Sequence, residues 1–152
     1  MDLYRWKHFE VSNPTLAAFG AERLQDEVAY LASVGEDGRP RVHPVGPIIG
    51  EGFLFVYMEP SSPKAHDLKQ NGLYALHSSV SDVNGSNGEF MIRGQATLID
   101  DPEIRAIASN LRKPKTSYIL FDVGVDEAIA TIYVNNKPSR RRWKRNDQPS
   151  IV

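Results

Sequence analysis

Short apolar runs separated by turn residues dominate the chain's hydrophobic pattern. They fall at residues 28–34 (VAYLASV), 40–49 (PRVHPVGPII), 53–58 (FLFVYM), 74–80 (YALHSSV), 89–99 (EFMIRGQATLI), 117–123 (SYILFDV) and 127–135 (EAIATIYVN). Their length and their wealth of Val, Ile, Phe and Tyr predict strands. Asp37-Gly38 and the stretch DVNGSNG (82–88) carry the Asp-Gly and Asn-Gly pairs that tight hairpins favour. Three segments switch to a helical period. One opens at Asn13-Pro14 and runs to about Asp26, with Leu16, Ala17, Phe19 and Leu24 on its apolar side. Another has Ser62 as cap, spans Pro63 to Gln70 and ends at Gly72. The last follows Asp101-Pro102 to about Lys113. About seven strands with three interspersed helices, and no regular strand–helix alternation, predict a mainly β, mostly antiparallel barrel in one domain over residues 1–152.

Two segments stand apart from this pattern. Residues 1–12 carry Tyr4, Trp6 and Phe9 among charges, and such aromatics call for cover from the domain or from a partner. The tail from Lys137 is polar and basic around Trp143, and that indole is expected to bring the tail back onto the protein. The run 40–49 is also unusual, because it holds Pro40, Pro44 and Pro47. Proline cannot donate to a ladder, so this strand is expected at an edge or bulged, with unpaired backbone that a ligand or second subunit would cover.

Composition narrows the function classes. A 152-residue chain with net charge −1 has no general attraction for nucleic acid or an anionic membrane. RRRWKR (140–145) is the strongest charge run, and with no basic excess elsewhere it does not make a nucleic-acid surface. There is no cysteine, which removes disulfides and thiol redox chemistry, so any electron transfer needs a cofactor. No apolar run reaches the ~18 residues of a membrane span. The start MDLYRWKHFE lacks a signal peptide's apolar centre, so a cytoplasmic location is expected. The four histidines, 8, 43, 66 and 77, show no metal-ligand spacing, and no metal site is expected. The common nucleotide-binding glycine motifs are absent.

The sharpest chemical signal is SSPK (61–64) after the strand FLFVYM. It places Lys64 in the first turn of a helix, where a cation opposes the helix dipole. A bound anion such as a phosphate resolves that conflict, because helix N-termini carry unsatisfied N–H donors.

Taken together, LASVGEDGRPRVHPV, FLFVYMEPSSPKAHDL, GEFMIRGQATLIDDPE and RRRWKR resemble, in order and spacing, the pyridoxamine 5′-phosphate oxidase-like FMN-binding split-barrel superfamily. The resemblance covers roughly residues 25–145. It implies an FMN-binding homodimer, with flavin sites at the subunit interface, acting as an oxidoreductase on a small-molecule substrate. On the matching positions it implies that Arg41, Val42, His43 and Pro44 line the ring or ribityl side. Tyr57 and Met58 would close on the flavin, and Ser62 and Lys64 would hold its phosphate. Arg141 and Trp143 would reach the flavin, in one arrangement from the second subunit. Pro63 stands where the oxidases carry an arginine, and the tail lacks their R-x-H segment, which argues against pyridoxine phosphate as substrate. No side chain stands out as a catalytic acid or base. A deazaflavin-dependent reductase, or a non-catalytic flavin or haem module with His43 or His77 as axial ligand, are the other functions this barrel would accommodate.

Overall fold

The computed structural model describes residues 4–146. Two helices lead, α1 (Trp6–Ser12) and α2 (Pro14–Leu24), joined by Asn13, whose side chain accepts the Leu16 N–H. Strands β1 (Ala29–Val34), β2 (Pro40–Val45), β3 (Ile48–Gly50) and β4 (Phe53–Met58) precede α3 (Pro63–Gln70). β5 (Leu73–Ser78), β6 (Glu89–Leu98), α4 (Pro102–Leu111), β7 (Ile119–Val123), β8 (Glu127–Val134) and β9 (Lys137–Lys144) follow. α2, α3 and α4 each start with an Asn, Ser or Asp cap and a proline in the first turn, as the sequence signals require.

Every strand pairing is antiparallel, in the order β2-β1-β5-β6-β7-β4-β3. β2 and β3 occupy opposite ends of that order yet are parted in the chain by Gly46 and Pro47 alone. The segment from Pro40 to Gly50 therefore passes from one sheet edge to the other and closes a split barrel. The single strand expected over 40–49 is thus two, because its halves pair with different neighbours and Pro47 has no N–H to continue either ladder.

β6 changes partners midway. Glu89–Arg93 pairs with β8, whereas Ala96–Leu98 pairs with β7. Gly94 marks the switch: a Cβ there would lie 2.5 Å from the Gly124 carbonyl oxygen, so the β7–β8 connection can cross only a glycine. β8 and β9 form a hairpin through Asn135 and Asn136, both at positive φ (51° and 61°), as a two-residue type I′ turn demands. The polar tail expected from Lys137 is therefore a strand as far as Lys144, and residues 147–152 of that tail lie outside the described residues.

The barrel interior holds Leu31, Leu54, Val56, Met58, Leu76, Ile92 and Phe121, all at most 1% exposed. A second apolar cluster, Ile48, Phe55, Ile99, Ala108 and Leu120, lies under α4. β4 is covered on both faces, which is why FLFVYM is an unbroken apolar run rather than an alternating one. Complete burial of each large apolar side chain contributes about 1.5–3 kcal/mol. The N-terminal aromatics find their cover within the chain. Trp6 and Phe9 are fully buried, Phe9 meets Trp143 at 4.8 Å, and Tyr4 stacks on Trp143 at 5.8 Å. Among the described residues no helix is long and apolar enough to cross a membrane.

Candidate functional site

β2 pairs with β1 alone, so its other edge, along Pro40–Val45, has no strand partner among the described residues. This is the unpaired edge that the prolines predict. Register decides what each side chain of β2 faces. His43 lies opposite Leu31 and Arg41 opposite Ser33, both buried, so these two look toward the barrel interior and its end. Val42 and Pro44 look outward, and Val42 is 63% exposed.

At that end of the barrel stands α3. Its Asp67 is 3% exposed and accepts from Ser33 Oγ at 2.7 Å and from Arg41 Nε at 3.0 Å. Burial alone would push the Asp67 carboxyl up, but these two hydrogen bonds and the Arg41 charge hold it below its ordinary pKa. Arg41 is thereby fixed against α3 with its side chain still 44% exposed.

The first turn of α3 repays a donor-by-donor account. Ser62 donates its hydroxyl to the Glu59 carbonyl at 2.7 Å and accepts the Ala65 N–H at 3.3 Å. The His66 N–H reaches the Ser62 carbonyl, and Pro63 has no N–H. The Lys64 N–H is left without a partner in the chain, beside its own half-buried ammonium side chain. The Nε2 of His43 is buried and also has no partner. Burial, then the charges of Lys64 and Arg41, hold the His43 pKa below its ordinary value, with Asp67 opposing, so the ring is neutral at pH 7. Unmatched buried polar atoms are rare in proteins. Here one lies within the charge influence of Lys64 and Arg41, a cationic setting suited to an anion.

The structure thus brings together Arg41, His43, Ser62 and Lys64, with Val42 and Pro44 on the outward side of the same strand. It disperses the other residues that the sequence suggests. Tyr57 and Met58 are neighbours on β4 and so face opposite ways. Met58 is 1% exposed inside the barrel. Tyr57 is half-buried among the residues beneath α4, its pKa raised by burial against the opposing charge of Arg105. Trp143 is 4% exposed, and its indole N–H donates to Ser12 Oγ at 2.8 Å, so the ring belongs to its own chain's core. Arg141 is exposed on β9, opposite Ala130, at the far end of the strand path from β2. His77 lies on the outward face with Nδ1 2.6 Å from the Ser78 carbonyl oxygen. Ser33 and Asp67 escaped the sequence reading. The available signal for Asp67 was an acid between Ala65 and Leu68, two apolar positions of the helix's inward side.

A cavity of about 690 Å³ lies elsewhere, between β5, β6 and β9. Its charged walls are already engaged: Glu127 accepts from Arg93 and Arg142, and Arg145 pairs with Asp126. Burial favours the neutral Glu127 carboxyl, but the two arginines outweigh it and keep its pKa low. These residues continue the outward rows of the sheet. One row runs Val42, Ala32, Ala75, Arg93, Glu127, Lys144, and the next Pro44, Tyr30, His77, Met91, Ile129, Arg142. The face is apolar over β2, β1 and β5 and charged over β9.

Residues 16–139 match the family model described as pyridoxamine 5′-phosphate oxidase. The chain belongs to the pyridoxamine 5′-phosphate oxidase family. Among solved structures of this fold, a pyridoxamine 5′-phosphate oxidase-related, FMN-binding protein from Nostoc punctiforme superposes with a TM-score of 0.66. It shares 17% identity, over 86% of this chain and 88% of that one. A Clostridium acetobutylicum protein related to general stress protein 26, of the pyridoxinephosphate oxidase family, gives 0.59 at 15% identity, over 92% and 96% of the two chains. A haem-binding protein from Mycobacterium smegmatis gives 0.62 at 12% identity, over 82% of this chain but only 56% of that one. No curated protein matches significantly. Within the family the barrel is common ground, and on and near the open edge of β2 this member leaves the His43 Nε2, and at the start of α3 the Lys64 N–H, without partners in the chain.

Proposed function

We propose that this family member binds FMN along the open edge of β2, with the phosphate at the start of α3, and acts as a flavin-dependent oxidoreductase. The observation that carries the proposal is a set of unmatched polar groups: the Lys64 N–H and ammonium group at the start of α3, and the buried His43 Nε2 on β2. Ser62 fixes where α3 begins and so aims the Lys64 N–H. Asp67 and Ser33 hold Arg41 in place. Val42 and Pro44 present a flat outward strand on which a planar ring can rest. Bound FMN supplies hydride acceptance and donation, which no side chain of this cysteine-free protein could provide.

The same proposal includes a homodimer joined through the outward sheet face and located in the cytoplasm. Val42, Tyr30 and Leu73 are 63%, 47% and 53% exposed there, an apolar area that a second copy would cover. The partner would also shield the ring from water on its open side.

The deciding experiment is the visible spectrum of the purified protein before and after adding FMN and desalting. Retained oxidised-flavin absorption near one FMN per chain is the expected result, and a protein that stays colourless overturns it. A second function, haem binding, is favoured by one observation: His43 is the histidine whose Nε2 is buried without a partner. It requires a Soret band that disappears in His43→Ala.

A further inference from the structure

An asparagine followed by glycine is chemically labile, because glycine has no side chain to shield its backbone nitrogen from the asparagine side-chain carbon Cγ. The chain holds three such pairs: Asn71-Gly72, Asn84-Gly85 and Asn87-Gly88. Reaction requires the peptide between the two residues to swing until the glycine nitrogen faces Cγ. Each hydrogen bond that must first open slows the step about fivefold, so the fold ranks the three pairs.

Asn71-Gly72 is wedged between α3 and β6. The Asn71 Oδ1 accepts the Leu73 N–H at 2.8 Å, and the Gly72 carbonyl accepts the Ala96 N–H at 2.8 Å. A Cβ on Gly72 would lie 2.8 Å from the Ala96 carbonyl oxygen, so this peptide has little room to turn. Asn87-Gly88 is held at each polar group that has to move. The Asn87 Nδ2 donates to Ser81 Oγ at 2.8 Å, and the Asn87 carbonyl accepts from Arg23 Nη2 at 2.8 Å. The Gly88 N–H donates to the Gly85 carbonyl at 2.9 Å, and Gly88 is buried against the Phe19 ring. Asn84 differs. It is exposed, and its side-chain amide has no hydrogen-bond partner among the described residues. Its peptide to Gly85 is held at two points only, by the Gly85 N–H to the Asp82 carbonyl at 3.1 Å and by the Tyr133 hydroxyl to the Asn84 carbonyl at 2.9 Å.

We propose that Asn84 is a self-modifying site, which deamidates in the folded protein while Asn71 and Asn87 stay intact. The Gly85 nitrogen gives its proton to solvent base and attacks Asn84 Cγ. The Cγ–Nδ2 bond breaks, the leaving nitrogen takes a proton from water, and ammonia departs from a five-membered succinimide. Water then opens the ring at one of its two carbonyls, leaving an aspartyl or an isoaspartyl residue. One water is consumed and one ammonia released, with no change of oxidation state. Either product places a new carboxylate beside Asp82. The isoaspartyl form also lengthens the main chain and draws the carbonyl away from Tyr133, which loosens the 82–88 loop from β8.

The test follows the intact chain in mildly alkaline buffer, folded and in concentrated urea, by mass spectrometry of its proteolytic peptides and by labelling with an isoaspartyl methyltransferase. Unfolded, the three pairs should convert at rates within a few-fold of one another. Folded, Asn84 should convert about fivefold faster than Asn87, the margin of one hydrogen bond, and Asn71 should lag as well. Asn84→Gln should abolish the early ammonia release, because glutamine closes the larger ring far more slowly. Either Asn71 or Asn87 keeping pace with Asn84 in the folded chain overturns the proposal. So does early ammonia release that persists in Asn84→Gln, or a folded chain that stays unmodified while the unfolded one reacts.

Discussion

Arg5 Nε donates to Asp122 Oδ2 at 2.8 Å and so ties the segment before α1 to the middle of β7. Asp122 is fully buried, and its other carboxylate oxygen has no partner. Burial pushes the carboxyl above its ordinary pKa against the pull of Arg5. A group whose folded pKa is raised contributes its stability below the unfolded value and loses it as pH rises through the folded one. Arg5 limits that loss. Removing it in Arg5→Ala should cost about 1–3 kcal/mol at neutral pH, because it leaves a buried charge unpaired. The cost should shrink at pH 4, where Asp122 is more fully protonated. Urea denaturation of both proteins at the two pH values checks this, and an equal cost at both would show that Asp122 does not carry the effect.

Gly94→Ala should destabilise the fold by about 1–3 kcal/mol, since the new methyl meets backbone rather than a yielding side chain. Amide exchange should place the loosening at the hydrogen bonds from Gly124 to Gln95 and from Asp126 to Arg93. Protection lost instead around α3 would mean that the crossing is not the cause.

Lys64→Ala should weaken FMN binding about tenfold or more, the scale of one lost charge-assisted hydrogen bond, while leaving riboflavin binding unchanged. Flavin fluorescence titrations measure both. Equal weakening for the two ligands would move the lysine away from the phosphate.

Trp143→Phe retains a ring against Phe9 but loses the bond to Ser12. A stability loss of about 0.5–1.5 kcal/mol is expected, with FMN affinity unaffected. Ser12→Ala should cost nearly as much, and the double variant little more, as thermal unfolding would reveal. A selective loss of FMN affinity would instead place the indole at the cofactor.

Tyr30→Glu introduces a charge at the apolar part of the outward sheet face. A species of dimer mass in light scattering should become monomeric without loss of secondary structure. Persistence of the dimer would place the subunit contact elsewhere.

Much of the barrel was legible because local chemistry and tertiary position agree. Ser62-Pro63 opens α3 and Gly72 follows it, and FLFVYM is β4 from end to end. The misses have physical causes. α1 begins at an arginine cap with no proline in its first turn, so its aromatics read as a packing arm rather than as a helix. β9 alternates exposed Arg140, Arg142 and Lys144 with inward Trp143, and three such cations outweigh one indole in any reading of polarity. Within the site, Lys64 announced itself through the helix dipole. Asp67 and the unmatched nitrogen of His43 depend on contacts between β1, β2 and α3, which no local pattern encodes. Tyr57 and Met58 show the reverse: the family resemblance implied a shared role at the flavin, and strand alternation turns the two side chains to opposite faces of β4.

The joining of α1 and the residues before it to β9 and the β7–β8 connection sets a timetable for synthesis. Ser12 receives its hydrogen bond from Trp143, and the Tyr4 carbonyl receives one from the Val125 N–H. A nascent chain emerges from the ribosome amino end first. The apolar side of α1, with Trp6 and Phe9, must therefore wait outside the ribosome until the last strand arrives to cover it. Until then those rings offer a binding surface for a chaperone, and a stop codon before residue 143 would leave them uncovered for good.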